Sequence, residues 1–112
     1  MDAVRCGTVV GTGAAINISL GWIPDCVIIT NTEDGDMIDV WHRNAHTDGE
    51  SARISTAVAD NAADGVSAYS GSDTVGSEAA PGFTIGTDIS EADKTLGYVA
   101  FRNAGPNKSS AA

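Results

Sequence analysis

Positive charge is scarce in this sequence. Six Lys and Arg stand against 15 Asp and Glu in 112 residues, a formal net charge of −9. Such a chain repels a phosphate backbone at every approach and has no basic stripe to offset that, so no nucleic-acid partner is expected. The same deficit disfavours anionic membrane surfaces. No stretch reaches the ~18 consecutive apolar residues of a membrane span, so the chain is expected to be soluble and to have no membrane partner. Aromatic residues are few too, at 5%. Hydrophobic residues reach 42%, too many for simple disorder, but 17 of them are Ala, which bury little area each. A chain of this size holds one core, and that core must be lean. A lean core with 13 Gly predicts a marginal monomer that gains by burying surface against its own copies or another protein.

Cysteine is limited to Cys6 and Cys26, in neither a CxxC nor a zinc-ligand spacing. The opening Met1-Asp2-Ala3-Val4-Arg5-Cys6 shows no basic region ahead of an apolar one, so no secretory signal is predicted and the two thiols are expected to stay free. The Asn-x-Ser triplets at Asn17 and Asn107 then carry no glycosylation meaning.

Motifs for the common chemistries are missing as well. Gly11-Thr12-Gly13 has Ile16 where a dinucleotide fingerprint needs Gly, and a strand where it needs a helix. No phosphate-binding GxxxxGK[ST] and no GxSxG nucleophile turn occur. Asp60-Asn61-Ala62-Ala63-Asp64-Gly65 departs from a calcium loop at Ala62 and at Gly71, where the bidentate acid belongs. Glu33, Asp34 and Asp36 could offer a loose oxygen site, but a solvated turn is the favoured reading of them. His42 and His46 share a face only in a helix; in a strand followed by a loop they diverge, so no zinc site is expected. The pairs Asp36/Asp39 and Glu91/Asp93 read as solvated charges with no aromatic platform beside them. No enzyme, cofactor or metal centre is implied.

What the sequence does contain is strand periodicity punctuated by Gly and Asp turns. Val4, Cys6, Thr8 and Val10 alternate with Arg5, Gly7 and Val9. After Gly11-Thr12-Gly13 the alternation resumes at Ile16, Ile18 and Leu20, which predicts a hairpin with Asn17 and Ser19 toward solvent. Gly21-Trp22-Ile23-Pro24-Asp25 makes a corner, and the β-branched run Cys26-Val27-Ile28-Ile29-Thr30 reads as the central strand. Asp34-Gly35 then reverses the chain into Met37 to Arg43, a strand with one mixed side that could border an interface.

Residues 52–64 are the one segment where a short helix competes with strands. Val66 to Tyr69 is a short strand, and Ser70 to Pro81 is a long surface loop rich in Gly, Ser and Ala. Gly82 to Asp88 and Leu96 to Arg102 supply two further strands. Seven or eight short strands predict an all-β fold, a two-sheet antiparallel β-sandwich of jelly-roll-like kind with long polar loops. It is expected to occupy 1–104 as a single domain, with a flexible tail over 105–112.

Several of these segments carry a resemblance. Pro81-Gly82-Phe83-Thr84-Ile85-Gly86-Thr87-Asp88, followed by Leu96-Gly97-Tyr98-Val99-Ala100-Phe101-Arg102, resembles the C-terminal signature of small tailed-bacteriophage virion proteins, many of them capsid decoration or head cement proteins. Gly21-Trp22-Ile23-Pro24-Asp25 leading into Val27-Ile28-Ile29-Thr30-Asn31 is similar to their Gly-aromatic-x-Pro corner and following strand. The likeness covers scattered pieces of residues 14–102, and the Ala-rich, acidic stretch from Ala52 to Ala80 departs from it.

The resemblance implies a noncatalytic virion structural protein, assembled in the host bacterial cytoplasm. It would bind the outer surface of the expanded capsid and bridge copies of the major capsid protein. A homo-oligomer is implied, with a trimer favoured. Candidate partner contacts are an N-terminal arm of Met1, Asp2, Ala3, Val4 and Arg5 and the faces around Trp22 and Trp41, although core packing is the first explanation of two such large side chains in a chain with few others. The alternative is a tail or head-fibre module that binds host surface carbohydrate by stacking on Trp or Tyr69.

Overall fold

The computed structural model describes residues 3–31, 37–46, 48–54, 58–61, 64–72 and 79–102. Within them the chain forms nine strands: β1 Val4–Val10, β2 Ile16–Ser19, β3 Cys26–Asn31, β4 Met37–His42, β5 Ser51–Ile54, β6 Val58–Asn61, β7 Val66–Tyr69, β8 Gly82–Ile85 and β9 Thr95–Phe101. They build a six-stranded sheet in the order β1-β9-β3-β4-β5-β6 and a three-stranded sheet in the order β2-β8-β7, every pairing antiparallel. The two sheets pack face to face as a β-sandwich. No helix long and apolar enough to cross a membrane occurs among the described residues.

One core joins the sheets. Val27 and Ile29 of β3, Trp41 of β4 and Leu96 and Ala100 of β9 meet Val66 of β7 and Phe83 and Ile85 of β8, with Leu20 and Ile89 closing the ends. Phe83 and Tyr98 reach across from opposite sheets, edge to face, with ring centroids 5.4 Å apart. Gly7, opposite Tyr98 in the register, leaves room for that ring, since a Cβ there would lie 2.8 Å from the phenol oxygen. The β-branched run of β3 is a central strand, flanked by β9 and β4. Its hairpin with β4 runs from Cys26↔His42 to Asn31↔Met37. The turn assigned to Asp34-Gly35 lies outside the described residues.

Two expectations need correction. β1 and β2 do not form a hairpin: β1 pairs with β9 and β2 with β8, in different sheets. The Gly11-Thr12-Gly13 segment crosses between sheets and docks on the loop before β9. Gly11 N–H donates to the Lys94 carbonyl at 2.8 Å, Gly13 N–H to the Ser90 carbonyl at 2.9 Å and Thr12 N–H to Ser90 Oγ at 3.1 Å. A Cβ on Gly11 would fall on the Glu91 carbonyl, so close backbone approach explains this glycine.

Over 52–64, where a short helix competes with the favoured strands, the described residues form β5 and β6, which pair from Ser51↔Asn61 to Ile54↔Val58. As the second correction, β2 does not turn its polar residues fully to water. Asn17 is half-buried and accepts from Thr84 Oγ1 at 2.7 Å, while Ser19 Oγ is buried. The end of the loop from Ser70 to Pro81 is pinned where Ser72 N–H donates to the Ala79 carbonyl at 3.1 Å; residues 73–78 and the tail over 103–112 lie outside the described residues.

Candidate functional site

Strand alternation gives the six-stranded sheet two faces of opposite character. Its inner face holds all the charge that its described strand side chains carry: Arg5, Asp39 and Arg53 share the parity of Val27, Trp41 and Leu96. Asp39 is 2% exposed. Both of its carboxylate oxygens accept from Arg53 Nε at 3.3 Å, and Oδ1 also accepts from Ser51 Oγ at 3.4 Å. Arg53 in turn donates through Nη2 to the Asp88 carbonyl at 2.7 Å, tying β5 to the loop after β8. A buried carboxylate held by a guanidinium and a hydroxyl is compensated; it is a structural ion pair. Asp39 is thus not the solvated charge expected of it. Glu91 is likewise engaged, accepting from Asn31 Nδ2 at 2.9 Å, and Asp36 lies outside the described residues.

The outer face of the same sheet is apolar. The registers align Val4, Phe101, Cys26 and His42 in one row across the strands. They align Cys6, Val99, Ile28, Val40 and Ala52 in the next, and Thr8, Gly97, Thr30, Ile38 and Ile54 in the third. None of these residues is Asp, Glu, Lys or Arg, in a chain of formal net charge −9; the second row meets its first acid on β6, at Asp60. Every exposed large hydrophobic of the described residues lies on this face: Val4, Val10, Ile38, Ile54 and Phe101. Isolated exposed apolar residues are ordinary, but a contiguous patch marks an interaction surface. Burial raises the pKa of the Cys26 thiol on this face, with the neighbouring Asp25 carboxylate adding to the shift.

The residues assigned to partner contact are dispersed. Trp41 is fully buried in the core, so it presents no face to a partner. Its Nε1 has no hydrogen-bond acceptor among the described residues. Trp22, half-buried at the corner before β3, packs against the core and carries the Arg102 guanidinium 4.8 Å over its ring centre. The proposed N-terminal arm is not free from Ala3 onward. The Ala3 carbonyl accepts from Arg102 N–H at 2.9 Å, and Val4 and Arg5 pair with Phe101 and Ala100 as part of β1. Met1 and Asp2 lie outside the described residues. Tyr69, on β7, is half-buried.

The two histidines come together instead of diverging. A turn after β4 brings His46 N–H to the His42 carbonyl at 2.8 Å, and His46 Nδ1 accepts from the His42 backbone N–H at 3.0 Å. His42 Nδ1 accepts from Asn44 N–H at 3.2 Å. Both Nδ1 atoms thus satisfy turn amides. Among the described residues no group of three or more His, Cys, Asp and Glu could hold a metal ion. The acidic turn of Glu33, Asp34 and Asp36 falls outside them.

The outer sheet face was missed as a site by sequence reasoning. A signal for it existed: both parities of β3 are apolar, as in strands covered on both sides. Comparison with family models, with curated proteins and with solved structures finds no match for this chain.

Proposed function

We propose that this protein is a noncatalytic structural protein whose work is protein–protein association, and that it serves as a decoration protein on the outer surface of a tailed-phage capsid. One observation supports association most strongly: the outer face of β1, β9, β3, β4 and β5, whose register rows contain no Asp, Glu, Lys or Arg and gather the exposed large hydrophobics Val4, Val10, Ile38, Ile54 and Phe101. The resemblance of Pro81 to Asp88 and Leu96 to Arg102 to small phage virion proteins supports the capsid as the setting. In this reading the protein assembles in the bacterial cytoplasm, binds the major capsid protein of the expanded head and bridges neighbouring capsomers. A rigid sandwich with apolar surface suits a load-bearing clamp, because packed interiors resist deformation and apolar contacts form without a specific charge pattern.

Mixing the purified protein with expanded capsids that lack it, pelleting, and imaging the pellet tests the reading. Density at symmetry-related lattice positions is the expected result. Absence of capsid binding together with binding to host glycans would replace it with a fibre module. The full burial of Trp41 and the Arg102 cover over Trp22 leave that module a poor stacking platform.

A further inference from the structure

We propose that the outer face of the six-stranded sheet is the dimerisation surface of the protein, packed face to face against the same face of a second copy. This rests on the reading of that face as an association surface and does not depend on the capsid.

A contiguous apolar face in water calls for a cover. Nothing left in the chain is suited to it. The residues beyond Arg102, from Asn103 to Ala112, contain no large apolar side chain, and Thr32 to Asp36 are mostly acidic. Of the other segments outside the described residues, only Met1 and Val75 offer an apolar side chain larger than Ala. A second copy of this chain brings an apolar surface of matching size and shape.

Charge does not bar a second copy at this face. Two chains of formal net charge −9 repel wherever their acids face each other. The rows Cys6-Val99-Ile28-Val40-Ala52 and Thr8-Gly97-Thr30-Ile38-Ile54 bring no ionised group to the centre of a joint. Face-to-face pairing thus places the acids at the rim and beyond it, where water and salt screen them. At the edge of the sheet, Asp60 stands opposite Ala52 in the register, a rim position.

Area is sufficient. Five strands about 4.8 Å apart, the longest about 23 Å in length, present roughly 500 Å² of flat area per copy, and side-chain relief adds to it. Two copies together bury a little over ~1,000 Å², the lower bound for a specific interface. Such a contact is isologous, so it closes at two chains and generates no filament. Aligned sheets with β-branched faces pack in this way inside sandwiches already.

Sedimentation velocity on the full chain over a concentration series tests the proposal. The wild type is expected to be a dimer at about 100 μM, with a dimer fraction that rises as salt screens the acidic rims. Val40→Glu at the centre of the face, and the exposed Thr8→Glu toward its border, are each expected to give monomers whose circular dichroism matches the wild type. Ser67→Glu, on the outer face of the three-stranded sheet, is expected to leave the dimer intact. If Val40→Glu does not fold, Thr8→Glu carries the comparison. A wild type that stays monomeric, a trimer, or a dimer that survives in folded Thr8→Glu would overturn the proposal. The same dimer failing to bind capsids would instead remove the capsid reading and leave the dimer standing.

Discussion

The outer faces of the two sheets obey different rules. On the three-stranded sheet Ile16, Ile18, Phe83, Ile85, Val66 and Ala68 point to the core, and Asn17, Thr84 and Ser67 form a polar row facing out. That is ordinary half-buried alternation. On the six-stranded sheet the outward rows are apolar, and the inward side carries Asp39 and Arg53. The difference teaches that the large sheet is built as a middle layer. It tolerates an ion pair inside because hydrogen bonds satisfy it, and it keeps Asp, Glu, Lys and Arg off the outward rows of β1, β9, β3, β4 and β5, where association needs a dry joint.

Several substitutions break or sharpen that contrast. The largest effect is expected for Trp41→Ala, a loss of about 4 kcal/mol in urea melts through the cavity left in the core. Trp41→Phe is expected to cost far less, about 1 kcal/mol, because it also removes a buried donor that no described residue satisfies. Asp39→Ala comes next, about 3 kcal/mol, since it strands the Arg53 guanidinium on the inner face. Replacing Asp39 and Arg53 together by Leu and Met should recover most of that loss. Full recovery would show the pair to be a filler of space, and none would show a wider network.

On the outer face, Ile28→Thr with Val99→Thr is expected to lower monomer stability by only about 1 kcal/mol while abolishing association, measured by melts at low concentration and by sedimentation. The smallest effect concerns pH. The raised pKa of the Cys26 thiol means the folded state holds its proton more tightly than the unfolded one. That contribution is complete below the ordinary thiol value of 9.0 and is lost as pH rises through it toward the folded value, so alkaline melts should fall less steeply in Cys26→Ser.

How far the sequence discloses this architecture varies by element. The β3 strand and its antiparallel pairing with β4 are legible, because a β-branched run followed closely by a second alternating run encodes both structure and partner locally. The closing strands β8 and β9 are legible from alternation alone. The partnership of β1 is not: alternation records which side chains share a face and carries no record of which strand lies alongside. Gly11 therefore passed for a hairpin turn, when its reason for being glycine is the Glu91 backbone some eighty residues on. The burial of Asp39 was hidden for a similar cause, since its partner Arg53 sits on another strand. Trp41 and Trp22 were alike in sequence, and only the parity of β4 against its neighbours separates the core residue from the corner residue.

The pairing of β1 with β9 also sets an order of events. Val4 to Val10 meet Thr95 to Phe101 across roughly ninety residues of sequence. β9 in turn is wedged between β1 and β3, so neither has its full complement of backbone hydrogen bonds until β9 arrives. The meander from β3 to β6 is able to form early from near neighbours, whereas the edge formed by β1 waits for the last strand of the sheet. Folding should therefore be slow for a domain of this size and should end with closure of that edge, leaving the apolar outer face incomplete until its final step. A partly folded chain then lacks the assembled surface that the finished one uses to recognise its own kind.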